Sequence, residues 1–397
     1  MVRFGIVGFG QQGRLYASIL TGTPLPGMPA IPKPQDCVLT AISARKESAR
    51  EQIEALPGVR YYKDWQELLS SDVCDAVVIT VPHFLHHEIA IAALEAGKHV
   101  LCEKPMTIRA SDAQAIFRAW QKHPACKLSM MLNQRANTLL QKIKGILDSG
   151  ELGTMRNSYY ISNHWWRPDS YYESNAWRGT WGGEGGGILV NQACHPLDIW
   201  IWLCGMPQSV YAKCTEGAHR KITVENDVTV VAQYPNGGQG VFTTCSHDLL
   251  GTDRLEITFD KGKMILEGNR KATVQRYTQP EGSFGESYDF RTFQGVLLRT
   301  PETVYQTEEL TTQSAFCDDY VQMFQNFAGY ILREEEPIAP AQAGLMQVQL
   351  ANAIQLSGWT GQEVTLPCCW ESYDCLLEQK IWEENQKNAS AVQTAIP

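Results

Sequence analysis

The stretch Val2-Arg3-Phe4-Gly5-Ile6-Val7-Gly8-Phe9-Gly10-Gln11-Gln12-Gly13 decides the fold. Its first six residues form an apolar run of strand length, and the next six form a G-x-G-x-x-G loop opening a helical pattern over 11–20. Gly8 permits the tight turn, Gly10 removes the side chain that would block a pyrophosphate, and Gly13 lets helix and strand pack closely. With Gln11 and Gln12 they set the positive end of a helix against phosphate oxygens. The motif alone is a weak signal, since a Gly-rich turn without function also satisfies it. The strand before it and the helix after it supply the context that a dinucleotide site requires.

Outward from the loop, short apolar runs at 38–42, 76–81, 99–102 and 127–132 alternate with helical patterns at 47–56, 86–96 and 111–122. Such alternation implies parallel pairing with right-handed crossovers, a doubly wound Rossmann sheet over residues 1–131. Five prolines between 21 and 36 interrupt it. That loop 22–36 reads as extended surface chain, with a cofactor lid or subunit contact as the other possibilities. Beyond Leu132 a helical pattern at 138–149 ends at Gly150, followed by strand-like runs at 155–163, 209–214, 227–234, 240–246, 254–260 and 263–267. Turns such as Pro235-Asn236-Gly237-Gly238 and Lys261-Gly262 imply an open, mostly antiparallel sheet. Helices at 314–333 and 341–357 and a strand at 364–366 complete an α/β domain over 132–385. Residues 386–397 read as a polar, mobile tail.

The chain has 397 residues, 44% hydrophobic and 19% charged, a globular mix long enough for two or three domains. Net charge is −9, with 14 cations against 12 anions through residue 130 and 20 against 31 afterwards. This argues against a nucleic-acid partner and seats any phosphate-bearing ligand early in the chain. The longest apolar runs, 76–82 and 199–204, fall far short of the roughly 20 residues that cross a bilayer. Twelve cysteines include no C-x-x-C pair, and no metal-ligand cluster is evident. Together with an N-terminus that enters a strand at once and carries no signal-peptide pattern, they read as reduced thiols in a cytoplasm.

The second strand bears on which dinucleotide is bound. NAD readers carry a carboxylate at its end for the ribose 2′-OH. Here it ends Ile42-Ser43-Ala44-Arg45-Lys46, with no carboxylate before Glu47. A hydroxyl at Ser43 and a cation at Arg45 suit a 2′-phosphate, so NADP is favoured slightly over NAD.

Further on, Ala96-Gly97-Lys98-His99-Val100-Leu101-Cys102-Glu103-Lys104-Pro105 places a lysine at the carboxyl edge of the parallel sheet. There it faces the crevice and can stabilise developing alkoxide charge; the alternative is a surface lysine paired with Glu103. The Glu-Lys-Pro segment resembles the signature of the glucose–fructose oxidoreductase / inositol dehydrogenase / MocA-like family. So do the turn Thr80-Val81-Pro82-His83 and the pair Ala351–Ser357 and Val364–Pro367. The resemblance covers nearly the whole chain. It implies a Rossmann domain followed by an open-sheet domain, homodimers or homotetramers, and cofactor contacts at Pro82, His83, Glu103 and Lys104. A cis peptide before Pro105 is also common in the family.

A second cluster runs Gly185-Gly186-Gly187-Ile188-Leu189-Val190-Asn191-Gln192-Ala193-Cys194-His195-Pro196-Leu197-Asp198. On a helix, Asn191, His195 and Asp198 share one face, with a kink expected at Pro196. The family motif is Asp-x-x-x-His, with the His as proton carrier; this chain has Asn191 in place of the Asp. An amide orients a hydroxyl but takes no proton, so Lys104 and His195 share the acid–base work. A buried structural histidine is the alternative. Six of the eleven Trp lie between 165 and 202 with Tyr171, Tyr172, Arg167 and Arg178 among them. That density suits a sugar ring, with Trp166, Arg178 and Trp181 as substrate contacts, or else core and oligomer packing.

The leading expectation is hydride transfer between a nicotinamide cofactor and a secondary hydroxyl of a sugar, glycoside or polyol. Two others stay open: a redox-assisted glycosidase or 3-keto-glycoside former that recycles its cofactor, and a non-catalytic cofactor-bound sensor.

Overall fold

A computed structural model describes residues 1–24, 31–287, 304–312, 314–315 and 317–394. The first sheet contains β1 (Val2–Val7), β2 (Cys37–Ser43), β3 (Arg60–Tyr62), β4 (Ala76–Ile79), β5 (His99–Cys102) and β6 (Leu128–Met130). They lie in the order β3-β2-β1-β4-β5-β6, every pair parallel. Helices cover both faces, so all four residues of β4 are buried. Strand order reverses between β1 and β4, and the ligand crevice of such a sheet opens at that point, beyond the carboxyl ends of its strands. Gly8 and Thr80 stand there.

The second sheet has nine strands. In chain order they are β7 (Met155–Ser162), β8 (Ser209–Glu216), β9 (Glu225–Gln233), β10 (Gln239–Cys245), β11 (Asp253–Phe259), β12 (Gly262–Glu267), β13 (Lys271–Tyr277), β14 (Tyr305–Thr311) and β15 (Val364–Thr365). Their order is β14-β13-β12-β11-β7-β10-β9-β8-β15, antiparallel except at the β7–β10 pair. One face is packed by the helices Cys194–Cys204 and Ala341–Thr360; the other alternates outward.

Two expectations change. The helical pattern at 47–56 is a 3₁₀ turn, Glu47–Ala49, followed by a short helix, Arg50–Glu54. Later residues also pack on the core of the first domain. Helix Asp318–Arg333 returns to the first sheet, where Phe324 meets Phe4 edge-on at 5.6 Å and Tyr16 at 5.2 Å, and the Ala339 carbonyl accepts from Met130 N at 3.0 Å. Its apolar stripe finds an uncovered face of the Rossmann core, which decides its place more strongly than sequence order does. Of the residues expected as a mobile tail, 386–394 continue the helix Trp370–Thr394, since Gln, Lys and Ala favour it, and 395–397 lie outside the described residues. Of the Pro-rich loop, 25–30 lie outside the described residues, while Ile31 is buried in the first core. No helix among the described residues is long and apolar enough to cross a membrane.

Candidate active site

The helix Gln11–Thr21 starts from Gly10, which offers no side-chain cap, so its first-turn N–H groups are left for a ligand. A Cβ on Gly10 would have open space around it, whereas one on Gly13 would collide with the Gly8 carbonyl and lie 3.0 Å from Thr80 Oγ1. Gly8 itself has φ +105°, a conformation that side chains disfavour. A cradle whose floor is bare at Gly10 and whose helix end is uncapped fits a dinucleotide pyrophosphate.

From this cradle a cavity of about 670 Å³ runs between the two sheets. Gly10, Gln11, Gln12, Pro82, His83, Glu103 and Lys104 line one side, and Arg178, Asn191, Gln192 and His195 the other. Gly8 and Gly13 act behind it as spacers. Ser43, at the end of β2, is buried and its carbonyl accepts from Gly8 N at 3.0 Å. Arg45 is exposed just beyond, and neither it nor Ser43 lines the cavity.

The structure brings Lys104, Asn191 and His195 to this one cavity. Lys104 follows β5, and its peptide to Pro105 is cis. Its ammonium donates to the Asn191 carbonyl at 3.0 Å and also meets the Cys194 thiol, which leaves one N–H bond for a ligand. Burial works against this ammonium, but Cys194, Glu103 and Tyr171 outweigh it and hold its pKa above the ordinary lysine value. His195 is pushed the other way, down to about 3, first by burial and then by the Lys104 charge. Its imidazole is therefore neutral at physiological pH, with burial and the Lys104 charge both opposing its protonation. On the cofactor side, the Glu103 carboxylate accepts from Tyr16 and from Lys104 N at 3.0 Å. His86, within 2.9 Å of the Val81 carbonyl and 2.8 Å of the Pro105 carbonyl, ties the two cofactor-side turns together.

Asn191 does not sit on the helix with His195. The helix begins only at Cys194, and Asn191 lies in the preceding turn, its N–H bonded to Gly187 O at 3.1 Å. Asp198 faces elsewhere and forms a buried pair with Arg135 at 2.7 Å. Pro196 causes no kink, because it occupies the first turn, where no helical hydrogen bond is lost. The Asn191 amide donates to Glu184 and, at 3.0 Å, to the Tyr171 hydroxyl. Both of its protons are thereby used, and its oxygen is left as an acceptor. Burial lifts Glu184 to about 7.

Two expected substrate contacts are elsewhere. Trp181 is core: buried, bonded to the Thr223 carbonyl at 3.0 Å and packed against Trp359. Trp166 is exposed and off the cavity wall, while its neighbour Trp165 lines it together with Trp177 and Arg167. Segment 163–168 lies past the end of β7, so strand alternation gives no means of telling 165 from 166. Glu184, Gln192 and His86 were not singled out by sequence reasoning, because no local period marks them.

Glu225 on β9 holds the turn in place, accepting from Gly187 N at 2.9 Å and Leu189 N at 3.3 Å. Burial lifts its pKa from 4.5 to about 7, and its second oxygen has no partner. Between those two pH values the folded state keeps a proton that the unfolded chain has lost, so stability falls as pH rises, by up to about 3 kcal/mol. Glu225→Gln is expected to gain Tm relative to wild type progressively from about pH 4.5 to about pH 7 and to hold that gain above it. A constant offset across thermal melts from pH 4.5 to 8 would contradict the assignment.

A dinucleotide cradle and an ammonium–imidazole pair facing one crevice are the parts of an NAD-binding oxidoreductase. The profile of the "Oxidoreductase family, NAD-binding Rossmann fold" matches residues 2–131, and that of the "GFO/IDH/MocA C-terminal domain" matches 140–265. The chain belongs to the GFO/IDH/MocA oxidoreductase family. Myo-inositol 2-dehydrogenase of Thermotoga maritima is 27% identical over 293 residues, 72% of this chain and 81% of that protein. Inositol 2-dehydrogenase of Salmonella typhimurium is 30% identical over 288 residues, 69% of this chain and 76% of that protein. The WlbA dehydrogenase of Bordetella pertussis, solved with NADH and UDP-GlcNAcA, superposes with a TM-score of 0.73 at 24% identity, covering 93% of this chain and 99% of that one.

Proposed function

We propose that this protein is an NAD(P)-dependent dehydrogenase of a sugar, glycoside or polyol, oxidising a secondary carbinol or reducing the corresponding ketone. The observation carrying it is that Lys104 and His195, from different domains, line one cavity with opposite protonation tendencies. The bound nicotinamide supplies the hydride acceptor or donor. His195 takes the hydroxyl proton, Lys104 hydrogen-bonds the same oxygen and stabilises its charge, and the Asn191 oxygen accepts from the neighbouring hydroxyl. Inositol dehydrogenases among the relatives support a polyhydroxylated substrate. Purified protein incubated with NAD or NADP and a panel of sugars, polyols and aryl glycosides is expected to develop reduced-nicotinamide absorbance. Aglycone release without net reduction would replace this reading with the redox-assisted glycosidase.

For the cofactor, NADP is favoured. Ser43 and Arg45 flank the place of the second-strand carboxylate, and Arg45 has no side-chain partner among the described residues. Arg45→Ala is expected to lower the NADP-to-NAD ratio of kcat/KM about tenfold. An unchanged ratio would refute a 2′-phosphate contact.

The protein acts as a homodimer or homotetramer in this reading. Tyr211, Val231, Val241 and Tyr159 stand side by side across β8, β9, β10 and β7 on the outward sheet face. Tyr159, Val231 and Tyr211 are each about half exposed, an apolar row suited to covering by a second copy.

A further inference from the structure

The cavity wall contributed by the second domain carries more positive charge than a neutral sugar calls for. Arg167 and Arg178 both line it. Their guanidinium carbons lie 5.0 Å and 4.3 Å from the centroid of the same ring, Tyr171. The two charges are therefore separated by less than about 10 Å, within one Debye length. Trp165 lies under Arg167 at 5.5 Å and Trp177 under Arg178 at 4.9 Å, so each planar fork is held flat by aromatic faces.

Neither guanidinium is in an ion pair among the described residues. Arg167 donates to the Trp166 carbonyl at 2.9 Å and Arg178 to the Tyr171 hydroxyl, both uncharged acceptors, and the Nε of each is buried without a partner. The carboxylate nearest Arg178 in influence, Glu184, spends its oxygens on Gly179 N and the Asn191 amide. The carboxylate that lines the cavity, Glu103, is engaged by Tyr16 and the Lys104 backbone. Lys104 faces Glu103, whereas among the described residues no ion pair answers Arg167 or Arg178. The cofactor's pyrophosphate does not account for the arginines, since its cradle at Gly10–Gln12 belongs to the first domain, and Arg167 and Arg178 stand with Asn191 and Gln192 on the other.

We propose that the substrate is an anionic carbohydrate, bearing a carboxylate or phosphate that docks on Arg167 and Arg178. This rests on the dehydrogenase reading only for the position of the sugar. Planar guanidiniums bind either oxyanion bidentately, and charge-assisted bonds of this kind give about 10- to 100-fold in affinity.

The test uses cofactor-loaded wild-type protein and matched ligands: hexuronates, the parent hexoses and the hexose 6-phosphates. Calorimetric affinity and kcat/KM are measured for each, then repeated with Arg178→Met, Arg167→Met and Arg178→Lys, with thermal melts to verify folding. Wild type is expected to prefer at least one acid over its parent hexose by about tenfold or more. That ratio is expected to collapse toward one in either Met variant and to recover in part in Arg178→Lys. Preference for hexuronate identifies a carboxylate and preference for hexose phosphate a phosphate. Equal handling of acids and parent hexoses, absence of binding by every acid, or a ratio untouched by the Met variants would overturn the proposal. So would a loss confined to cofactor affinity. Arg-dependent binding of an acid without any redox turnover would instead retain this proposal and remove the dehydrogenase reading, while turnover of neutral polyols with no acid preference would do the reverse.

Discussion

Lys104→Met is expected to lower kcat/KM by about 10²-fold or more, and His195→Asn by a similar factor, with cofactor affinity changed only a few-fold. The expectation follows from where the two groups stand. Lys104 stays an ammonium because Cys194, Glu103 and Tyr171 outweigh its burial, and His195 stays neutral because burial and that ammonium both resist a second positive charge. Lys104 is thus the standing donor, and His195 is neutral but must accept its proton against burial and the Lys104 charge, so in the proposed reaction the proton transfer depends on both groups holding the same oxygen. Because both act on one oxygen, the double variant is expected to lose little more than the worse single variant rather than the product of the two. Lys104 also bonds the Asn191 carbonyl, so thermal melts must accompany the kinetics. Steady-state rates with fluorescence titration of the reduced cofactor decide the matter. Parallel loss of rate and cofactor binding would show that these residues shape the cradle instead of performing the proton transfer.

The first domain was legible because its information is local. Strand, glycine loop and helix follow one another within 21 residues, and β1, β2, β4, β5 and β6 each overlap an apolar run that periodicity detects. β3 has three residues, none of them buried, and the helix Trp65–Ser70 barely exceeds one turn, so neither leaves a pattern. β14 buries only Leu310, and its alternation is correspondingly weak. Helix Asp318–Arg333 was readable as a helix, but its docking on Phe4 and Tyr16 depends on a surface formed some 300 residues earlier.

Motif and spacing point to Lys104 and His195, which line one cavity, whereas the residues that support them leave no such signal. The i, i+4 spacing of Asn191 and His195 invited a helix, yet three successive glycines and the capture of Gly187 and Leu189 by Glu225 hold Asn191 in a turn. Trp181 was chosen for its chemistry, but burial against Trp359 removed it from the cavity. Composition announces an aromatic cluster; only packing says which rings face the ligand.

The glycines of the loop separate two effects that sequence alone merges, and this gives the second large expectation. Gly10→Val should fold as wild type, since its backbone, φ −76° and ψ −161°, suits any residue and a Cβ there meets nothing within 4 Å. The same Cβ would occupy the approach of a pyrophosphate to the uncapped first turn of helix Gln11–Thr21, so cofactor affinity should fall by about 10²-fold or more with Tm unchanged. Gly13→Val should lose both. Its Cβ would strike the Gly8 carbonyl, which already accepts from Thr80 Oγ1 at 2.9 Å, and the helix must move off the sheet to relieve the clash. Thermal melts without cofactor, paired with titration of NADH and NADPH, distinguish the two. If Gly10→Val bound either cofactor as wild type does, the phosphates could not lie over Gly10, and the orientation of the whole ligand along the crevice toward Lys104 and His195 would have to be redrawn.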